Sequence, residues 1–365
     1  MQYTLSESER FVEAGSEHLN WCGRLITAPG VRRISFPYSY VELRFVSPYL
    51  RVVLRNIPEP GNQDENALGV VLDGDEMHQT KVVLQKNGEE EVITLAEGLD
   101  GKEHTLRLFK RTGACHEVEI YGFICAEEGR ILPPPKQPRR CIEFYGDSVT
   151  VGEVSEAVAY VGKLDPEHHG EYHNSWYSYA SIAARAMNAR AHLCAQGGIA
   201  LLPGTGYFHA PDTVGLCDVY DRVRFNPVFG ELEKWDFSRF TPHVVVVAVG
   251  QNDDFPENYM KLDPRGEKAA AWKAAYLQMI RGLREKYPKA YIILSTTILN
   301  HAPQWDRAIG QIATTLQAEG DSRVYHLLYS RNGRGTPGHL RIPEAEEMAL
   351  ELKSFINSIG PQVWE

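Results

Sequence analysis

The stretch VVVVAVGQND, residues 244–253, is the part of the sequence that decides the fold. Its first six residues are all apolar and do not alternate with polar ones. Such a run is typical of a strand that is buried on both faces of a parallel sheet, where helices cover each side. A glycine and three polar residues follow, at the point where the strand ends. Ligands of open parallel sheets bind at the carboxyl ends of the strands, so this edge is where we expect a functional site.

The rest of the second half of the chain alternates apolar runs with helical patterns. A β-α-β-α order predicts an α/β/α domain built on a parallel sheet. Further strands are predicted over 141–145, 192–195, 291–295 and 324–328, and helices over 176–187, 267–286, 306–318 and 343–356.

Residues 1–130 have a different pattern, in which apolar and polar residues alternate in short runs separated by turn residues such as Asp73-Gly74 and Asn87-Gly88. This pattern predicts an antiparallel β-sandwich. The stretch LPPPKQP, residues 132–138, follows it. Its prolines cannot donate ladder hydrogen bonds and stiffen the backbone. We therefore predict a β-sandwich accessory domain over 1–130, a proline-rich linker over 131–139 and a catalytic domain over 140–365.

The composition argues against several classes of function. The chain has 38 Lys and Arg residues against 48 Asp and Glu residues, a formal net charge of −10, without a dense basic cluster. Nucleic-acid binders normally carry a basic face, so that class is disfavoured. The negative charge also repels anionic membranes and acidic polysaccharides at long range. We expect a neutral small-molecule or oligosaccharide substrate and no nucleic-acid or membrane partner; the sequence leaves the oligomeric state open.

The sequence indicates neither a cofactor nor an export signal. Its six cysteines lack the close-paired spacing of zinc or redox motifs, and HHGEYH, residues 168–173, reads as a polar loop rather than a metal-binding helix face. The start, residues 1–7, has no basic segment and no apolar one, and no run of about 18 apolar residues occurs. We expect no metal, no cofactor and a cytoplasmic location, or secretion if a signal peptide preceded this sequence.

Three predicted strands end in residues that suit acyl transfer. Ser148 follows the first strand, a Gly197-Gly198 pair follows the second, and Asn252 follows the third. Acyl transfer requires an activated hydroxyl, a base, and donors directed at the developing oxyanion. Ser148 supplies a hydroxyl, either glycine allows a backbone N–H to approach closely, and the Asn252 amide is a further donor. Alternatively, Ser148 only caps the next helix and Asn252 is only a turn residue.

These segments resemble the conserved blocks of the SGNH (GDSL-like) hydrolases. Gly146-Asp147-Ser148 is similar to their first block, Gly197-Gly198 to their glycine block, and Gly250-Gln251-Asn252-Asp253 to their G-x-N-D block. His339 lies before the last predicted helix, where that family has its base. Asp147 and Asp253 are expected to be structural hydrogen-bond acceptors.

The base region departs from the family pattern in two places. Thr336 stands where an aspartate is usual, Leu340 stands where a proline is usual, and no acid lies between Arg323 and His339. A backbone carbonyl that accepts the Nδ1 proton would orient the imidazole instead. A β-sandwich in front of such a Ser–His dyad is similar to carbohydrate esterase family two.

That resemblance implies a jelly-roll-like first domain, a flavodoxin-like sheet in the second, and removal of O-acetyl groups from sugars. It implies Ser148 as nucleophile, His339 as base, an acyl-enzyme intermediate, and an oxyanion hole formed by the Ser148 and Gly198 (or Gly197) N–H groups with Asn252. Three alternatives remain: an esterase or lipase for non-sugar esters, transfer of the acyl group to another sugar, and a catalytically weakened sugar-binding protein.

Aromatic residues are the candidates for contacts with a sugar ring. Trp176 and Tyr177 begin a predicted helix, and Trp305 and Tyr207 lie near other candidate segments. Stacking against the sugar is one interpretation of these side chains, and packing in the core is the other.

Overall fold

In residues 4–365, which the computed structural model describes, the chain begins with two antiparallel sheets. Residues 1–3, which belong to the segment 1–7 considered above, lie outside this range. One sheet has the order β3-β4-β11-β6-β9, with β1 beside β11, and the other has the order β12-β5-β10-β7-β8, with β2 beside β5. The strands are β1 Glu9–Glu13, β2 Asn20–Cys22, β3 Leu25–Ala28, β4 Val31–Ile34, β5 Tyr40–Val46, β6 Tyr49–Pro58, β7 Ala67–Leu72, β8 Thr80–Val83, β9 Glu90–Glu97, β10 His104–Lys110, β11 His116–Ala126 and β12 Arg130–Leu132.

The two sheets face each other across one apolar core. Phe45 and Leu106 from one sheet meet Val52 and Ile120 from the other, and all four are completely buried. These side chains come from the alternate positions that the period-two pattern predicts to face inward. The expected β-sandwich is therefore confirmed. Its last strand includes Ile131 and Leu132, so the segment without regular structure begins two residues later than the predicted linker.

A parallel five-stranded sheet follows, within the described part of the chain, in the order β14-β13-β15-β16-β17. Counted within this domain the order is 2-1-3-4-5, the flavodoxin-like order expected above. The strands are β13 Arg140–Gly146, β14 Ala189–Ala195, β15 Val244–Ala248, β16 Tyr291–Ser295 and β17 Val324–His326. The helices are α1 Ser148–Val151, α2 Tyr179–Ala186, α3 Leu216–Val219, α4 Tyr259–Leu262, α5 Glu267–Lys286, α6 Pro303–Ala318 and α7 Ile342–Ile359.

Helices cover both faces of this sheet, as the apolar stretch predicts. Along β15, Val244, Val246 and Ala248 belong to the core under α2 and α7. Val245 and Val247 point the other way, into the core under α5 and α6. Every residue of β15 is buried, so no position in the strand tolerates a polar side chain without a partner. In the described residues, no helix is both long and apolar enough to cross a membrane.

The first domain packs tightly on the second. Tyr38 and Phe109 of the sandwich contact Trp176, with ring centroids 5.8 Å and 5.0 Å away. Trp176 is only 2% exposed and lies in the core that the two domains share. The prediction that Trp176 contacts substrate is therefore wrong, because the aromatic surface of the sandwich covers it.

A buried ion pair also joins the domains. Arg24, between β2 and β3, places its guanidinium 3.2 Å from the Glu143 carboxylate on β13, and both side chains are fully buried. The guanidinium also donates to the backbone carbonyls of Tyr220 and Arg222, at 2.7 and 2.8 Å. Burial alone would raise the pKa of Glu143, but the Arg24 charge and a contact with His192 outweigh it and lower the pKa to about 2.

Removing one charge of this pair is expected to destabilise the protein strongly. Glu143→Gln leaves the Arg24 guanidinium buried without its counter-charge, which costs about 3–5 kcal/mol. Replacing both partners with apolar residues (Arg24→Met with Glu143→Leu) is expected to cost less, because no unpaired charge remains buried. Urea unfolding at neutral pH measures both. Because the folded-state pKa of Glu143 is lowered, its stabilisation is present at neutral pH and is lost as the pH falls toward about 2. A single variant as stable as wild type would contradict this account.

Candidate active site

Ser148 is held at the carboxyl end of β13 by a tight turn. Asp147 caps α1, and its carboxylate accepts the Val149 N–H at 3.0 Å. Ser148 is the first residue of that helix, so its own N–H has no acceptor within the helix. A Cβ at position 146 would lie 2.0 Å from the Thr150 hydroxyl, so only glycine fits before the turn. The turn presents both the Ser148 hydroxyl and a free backbone donor to the same space.

That space is a cavity of about 470 Å³ at the carboxyl edge of the parallel sheet. Its walls bring together most of the residues that the sequence singled out, and add two carboxylates that it did not. The lining includes Ser148, Gly198, Asn252 and His339, and also Glu153 and Asp165. A larger cavity of about 620 Å³ is bordered by His301 and Arg334, but no serine or cysteine lines it. The smaller cavity is therefore the candidate active site.

The partner of the His339 imidazole is a carboxylate. Asp165 Oδ2 lies 2.6 Å from His339 Nδ1, and Asp165 Oδ1 accepts the backbone N–H of His339 at 2.9 Å. The expectation that a backbone carbonyl orients the ring is therefore wrong. The predicted Ser148–His339 dyad thus gains a third candidate member, Asp165, in a loop that lies 174 residues before the histidine. With Nδ1 bound to Asp165, Nε2 is the ring nitrogen left for the cavity.

A buried arginine fixes this acid in place. Arg341, which is completely buried, forms an ion pair of 2.9 Å with Asp165 and donates to the carbonyl oxygen of His339. A Cβ at position 338 would lie 2.6 Å from Asp165 Oδ1, so Gly338 is what lets the carboxylate approach. Glu344 accepts the Arg341 N–H at 2.8 Å and closes the capping box of α7. The start of α7 thus aligns base and acid together.

Charge in the cavity favours protonation of His339. Burial alone would lower its pKa, but the hydrogen bond to Asp165 and the charges of Glu153 and Asp147 outweigh burial and raise it. Burial would likewise raise the pKa of Asp165, but the same hydrogen bond and the Arg341 charge hold it far below its usual range. Asp165 is therefore expected to be ionised over the pH range in which the imidazole changes its protonation state.

Gly198, rather than Gly197, lines the cavity. Its φ of +72° is the left-handed conformation that glycine adopts without strain, and its carbonyl accepts the N–H groups of Tyr207 and Phe208 at 2.8 and 3.1 Å. The Gly198 carbonyl is thereby held in place, and Gly198 lines the same cavity as Ser148. Gly197 has another use: a Cβ there would lie 2.1 Å from Glu153 Oε1, so its missing side chain makes room for that carboxylate.

The Asn252 amide is held in the same region by two acceptors. Its Nδ2 lies 3.0 Å from the Ile199 carbonyl and 3.3 Å from Asp147 Oδ2. The Asn252 amide would therefore have to give up one of these contacts, the longer one to Asp147 being the weaker, in order to donate to an oxyanion. The structure brings Asn252 to the cavity; its role as an oxyanion donor stays a prediction.

Asp147 and Asp253 form the buried polar network that joins the strand ends. Asp147 Oδ2 accepts from the Gln251 amide at 2.8 Å, and Gln251 Oε1 accepts from the Thr297 hydroxyl at 2.8 Å. Asp253 accepts the Leu201 N–H at about 3.0 Å. Burial raises the pKa of both carboxyls to about 6. Both aspartates are the hydrogen-bond acceptors that the sequence predicts.

The aromatic residues predicted to contact substrate lie in different environments. Trp305 is completely buried against Trp272, with ring centroids 5.3 Å apart, so the prediction that it binds substrate is wrong in the same way as for Trp176. Tyr177 is half-buried, its hydroxyl accepts from Gln79 at 3.3 Å, and it does not line the cavity. Tyr207 does line the cavity and is 55% exposed. Only Tyr207 of the four is placed to meet a ligand.

The histidine-rich segment at 168–173 has a packing role. His173 is buried, its Nδ1 accepts the Val154 N–H at 2.9 Å, and burial with the nearby His168 lowers its pKa to about 3. Within residues 4–365, no group of three or more His, Cys, Asp or Glu side chains is arranged to hold a metal ion.

Comparisons with known proteins match this architecture. Residues 21–135 match the family model described as carbohydrate esterase 2 N-terminal. The chain is 28% identical over 341 residues to the cellulase/esterase CelE of Acetivibrio thermocellus, an alignment that covers 91% of this chain and 38% of that protein. It is 23% identical over 357 residues to the acetylxylan esterase / glucomannan deacetylase of Cellvibrio japonicus, with 98% and 93% covered.

The solved structures agree. A family two carbohydrate esterase from Clostridium thermocellum, in complex with cellohexaose, has a TM-score of 0.78 and 27% identity over 95% of this chain and 100% of that one. The chain is therefore most similar to carbohydrate esterase family two, and the resemblance expected from the sequence blocks is confirmed. It spans 38% of the length of the Acetivibrio relative.

Removing the Asp165 charge is expected to impair catalysis without unfolding the protein. Asp165→Asn offers Nδ1 a neutral partner that also favours the wrong tautomer, so kcat on 4-nitrophenyl acetate falls by about 10²–10⁴. The thermal midpoint is expected to fall as well, because the completely buried Arg341 loses its counter-charge, so the rates are compared at a temperature at which both proteins are folded. Glu167→Gln, an exposed charge removed from the same loop, is the matched control. Equal activity in the two variants would rule out the role given to Asp165.

The same variant is expected to shift the pH profile. In the wild type the raised pKa of His339 means that activity is lost as the pH falls through that pKa, because the protonated ring cannot act as a base. Asp165→Asn removes a contribution that raises this pKa, so the acid limb of kcat/KM moves to lower pH. Initial rates measured across the pH range test this. A limb that stays in place or moves to higher pH would show that Asp165 does not act on His339.

Proposed function

We propose that this chain, which is most similar to the family two carbohydrate esterases, is a serine acetylesterase that removes O-acetyl groups from neutral oligosaccharides or polysaccharides. One observation carries the proposal. Ser148 and His339 line the same cavity, and Asp165 holds the ring by Nδ1 so that Nε2 is free to act on the serine. This is the arrangement of nucleophile, base and orienting acid that acyl transfer requires.

The first half of the reaction acylates the serine. His339 Nε2 takes the proton from the Ser148 hydroxyl, and Oγ attacks the carbonyl carbon of the acetyl ester. The N–H groups of Ser148 and Gly198, with the Asn252 amide, stabilise the resulting oxyanion. The tetrahedral intermediate then breaks its bond to the sugar oxygen, which receives the proton from the imidazolium. Ser148 is left as an acetyl ester.

The second half releases acetate. His339 takes a proton from a water molecule, whose oxygen attacks the acetyl carbon. The imidazolium then returns this proton to Ser148 Oγ as the new intermediate breaks its bond to that oxygen and releases acetic acid, which ionises to acetate. Throughout, ionised Asp165 stabilises the imidazolium that forms in each step. The Arg341 ion pair keeps this carboxylate from taking the proton itself.

The cavity suits a neutral sugar. Three carboxylates (Glu153, Asp165 and Asp254) line it against the single imidazole of His339, so an anionic sugar would be repelled. At the rim, Tyr207 and Phe255 stack with ring centroids 4.4 Å apart and both stay exposed. An exposed aromatic face is a surface on which the apolar side of a sugar ring packs. The name of the Cellvibrio relative, an acetylxylan esterase / glucomannan deacetylase, fits such a substrate.

Of the alternatives, a catalytically weakened sugar-binding protein is no longer supported by the observation that suggested it. It rested on the missing aspartate at position 336, and Asp165 supplies the carboxylate beside His339 that position 336 lacks. An esterase for non-sugar esters and a sugar acyltransferase use the same residues and are distinguished by their substrates and products. Water has access to the open cavity, which favours hydrolysis.

Acetate release from acetylated xylo- and manno-oligosaccharides tests the proposal. The wild type is expected to release acetate from these and to turn over long-chain nitrophenyl esters poorly. Ser148→Ala is expected to lose at least about 10⁴-fold in rate, because the covalent route disappears. Ser354→Ala, on the exposed side of α7, is the control and is expected to match the wild type. Preference for long-chain esters, or undiminished activity in Ser148→Ala, would overturn the proposal.

A further inference from the structure

Glu153 is a carboxylate in the cavity for which the steps above have no use. Its backbone N–H donates to the Ser148 carbonyl at 3.1 Å, which fixes it one turn beyond the nucleophile. Its side chain is 20% exposed, and Oε2 lies 3.8 Å from His339 Nε2, the ring nitrogen that is not bound to Asp165. Among residues 4–365, no side chain or backbone group donates a hydrogen bond to this carboxylate. It is an open acceptor that faces the space where substrate must lie.

The backbone near Glu153 leaves room for its carboxylate. The absence of a side chain at Gly197 leaves room for Oε1, which would lie 2.1 Å from a Cβ there. Burial raises the pKa of the Glu153 carboxyl to about 7. His339 lowers this pKa, and the negative charges of Asp147, Asp64 and Asp165 raise it further. A half-buried carboxylate without a donor is costly, and the cost falls when a ligand supplies the donor.

The proposed mechanism indicates which part of the substrate lies beside the Glu153 carboxylate. His339 Nε2 must approach the leaving sugar oxygen to within hydrogen-bond distance in order to protonate it. A carboxylate oxygen that lies 3.8 Å from Nε2 is therefore next to the leaving oxygen and close to the group on the adjacent sugar carbon. A free hydroxyl on that carbon donates a hydrogen bond to Glu153. An acetylated or alkylated oxygen has no hydrogen to donate, and its lone pairs are repelled by the carboxylate.

We propose that Glu153 is a specificity-determining residue that accepts a hydrogen bond from a free hydroxyl beside the ester. The substrate class is then a sugar residue with an acetyl group next to an unsubstituted hydroxyl, rather than one whose neighbouring oxygens are also substituted. This inference rests on the proposed function and goes beyond it in naming what must flank the scissile ester.

Two model esters test it with the full chain. One is a methyl xyloside with a single acetyl group and free neighbouring hydroxyls, and the other is its analogue with those hydroxyls O-methylated. At a pH above the Glu153 pKa of about 7, the wild type is expected to favour the free form in kcat/KM by about tenfold or more. Glu153→Gln keeps a neutral acceptor and retains part of this preference, whereas Glu153→Ala removes the acceptor and abolishes it.

Controls separate this role from a structural one. Asp254→Asn removes another carboxylate that lines the cavity but is expected to keep the wild-type preference. Hydrolysis of 4-nitrophenyl acetate, which carries no sugar, reports the change that both Glu153 variants make through the pKa of His339, and the ratio of kcat/KM for the two xylosides is the readout from which that change cancels. A preference that is unchanged in Glu153→Ala, or activity that falls equally on all three esters, would overturn the inference. A wild type that uses Ser148 on nitrophenyl acetate but no acetylated sugar would overturn the proposed function itself.

Discussion

The site depends on three parallel strands that end level with one another. Gly146 at the end of β13 is paired with Ala195 on one side and with Ala248 on the other. Because the strands are parallel and in this register, the residues that follow each strand emerge at the same edge of the sheet. The strand order changes direction here, between β13 and β15, and such switch points leave a crevice. A register shift by one residue would reverse which side chains face each core and separate Ser148 from Asn252.

The proposed catalytic set is completed by segments outside the strand ends, and an ion pair joins these segments. His339 and Arg341 precede α7, and Asp165 comes from the long connection between α1 and α2. Arg341 binds both the acid and the carbonyl oxygen of the base, so the two loops are joined at the residues that matter for catalysis. The result is an imidazole with a carboxylate on each side. One of these, Asp165, is held by His339 and Arg341, and the other, Glu153, has no hydrogen-bond donor among residues 4–365 and is proposed to accept one from the substrate.

Much of this organisation is present in the sequence. Continuous apolar runs predict the buried strands, the helical periodicity predicts Glu267–Lys286 with both ends correct, and the glycines predict close backbone approaches. Asp165 escapes sequence reasoning because its contact with His339 spans 174 residues and no spacing rule connects a polar loop to a distant helix start. Trp176 and Trp305 are predicted wrongly for a related reason. An aromatic side chain can pack against a sugar ring or in a core, and only the residues around it in the fold distinguish the two roles. Gly197 likewise proves to accommodate Glu153, which no local pattern indicates.

Chemical trapping of the nucleophile tests the account most directly. A fluorophosphonate reacts with a serine hydroxyl only where a base activates it and donors stabilise the phosphoryl oxygen. Peptide mapping after the reaction is expected to find the label on Ser148, in an amount equal to that of the enzyme, and to find it greatly reduced in His339→Ala. A label on another serine, or no label on a protein that still releases acetate, would contradict the assignment of this cavity as the active site.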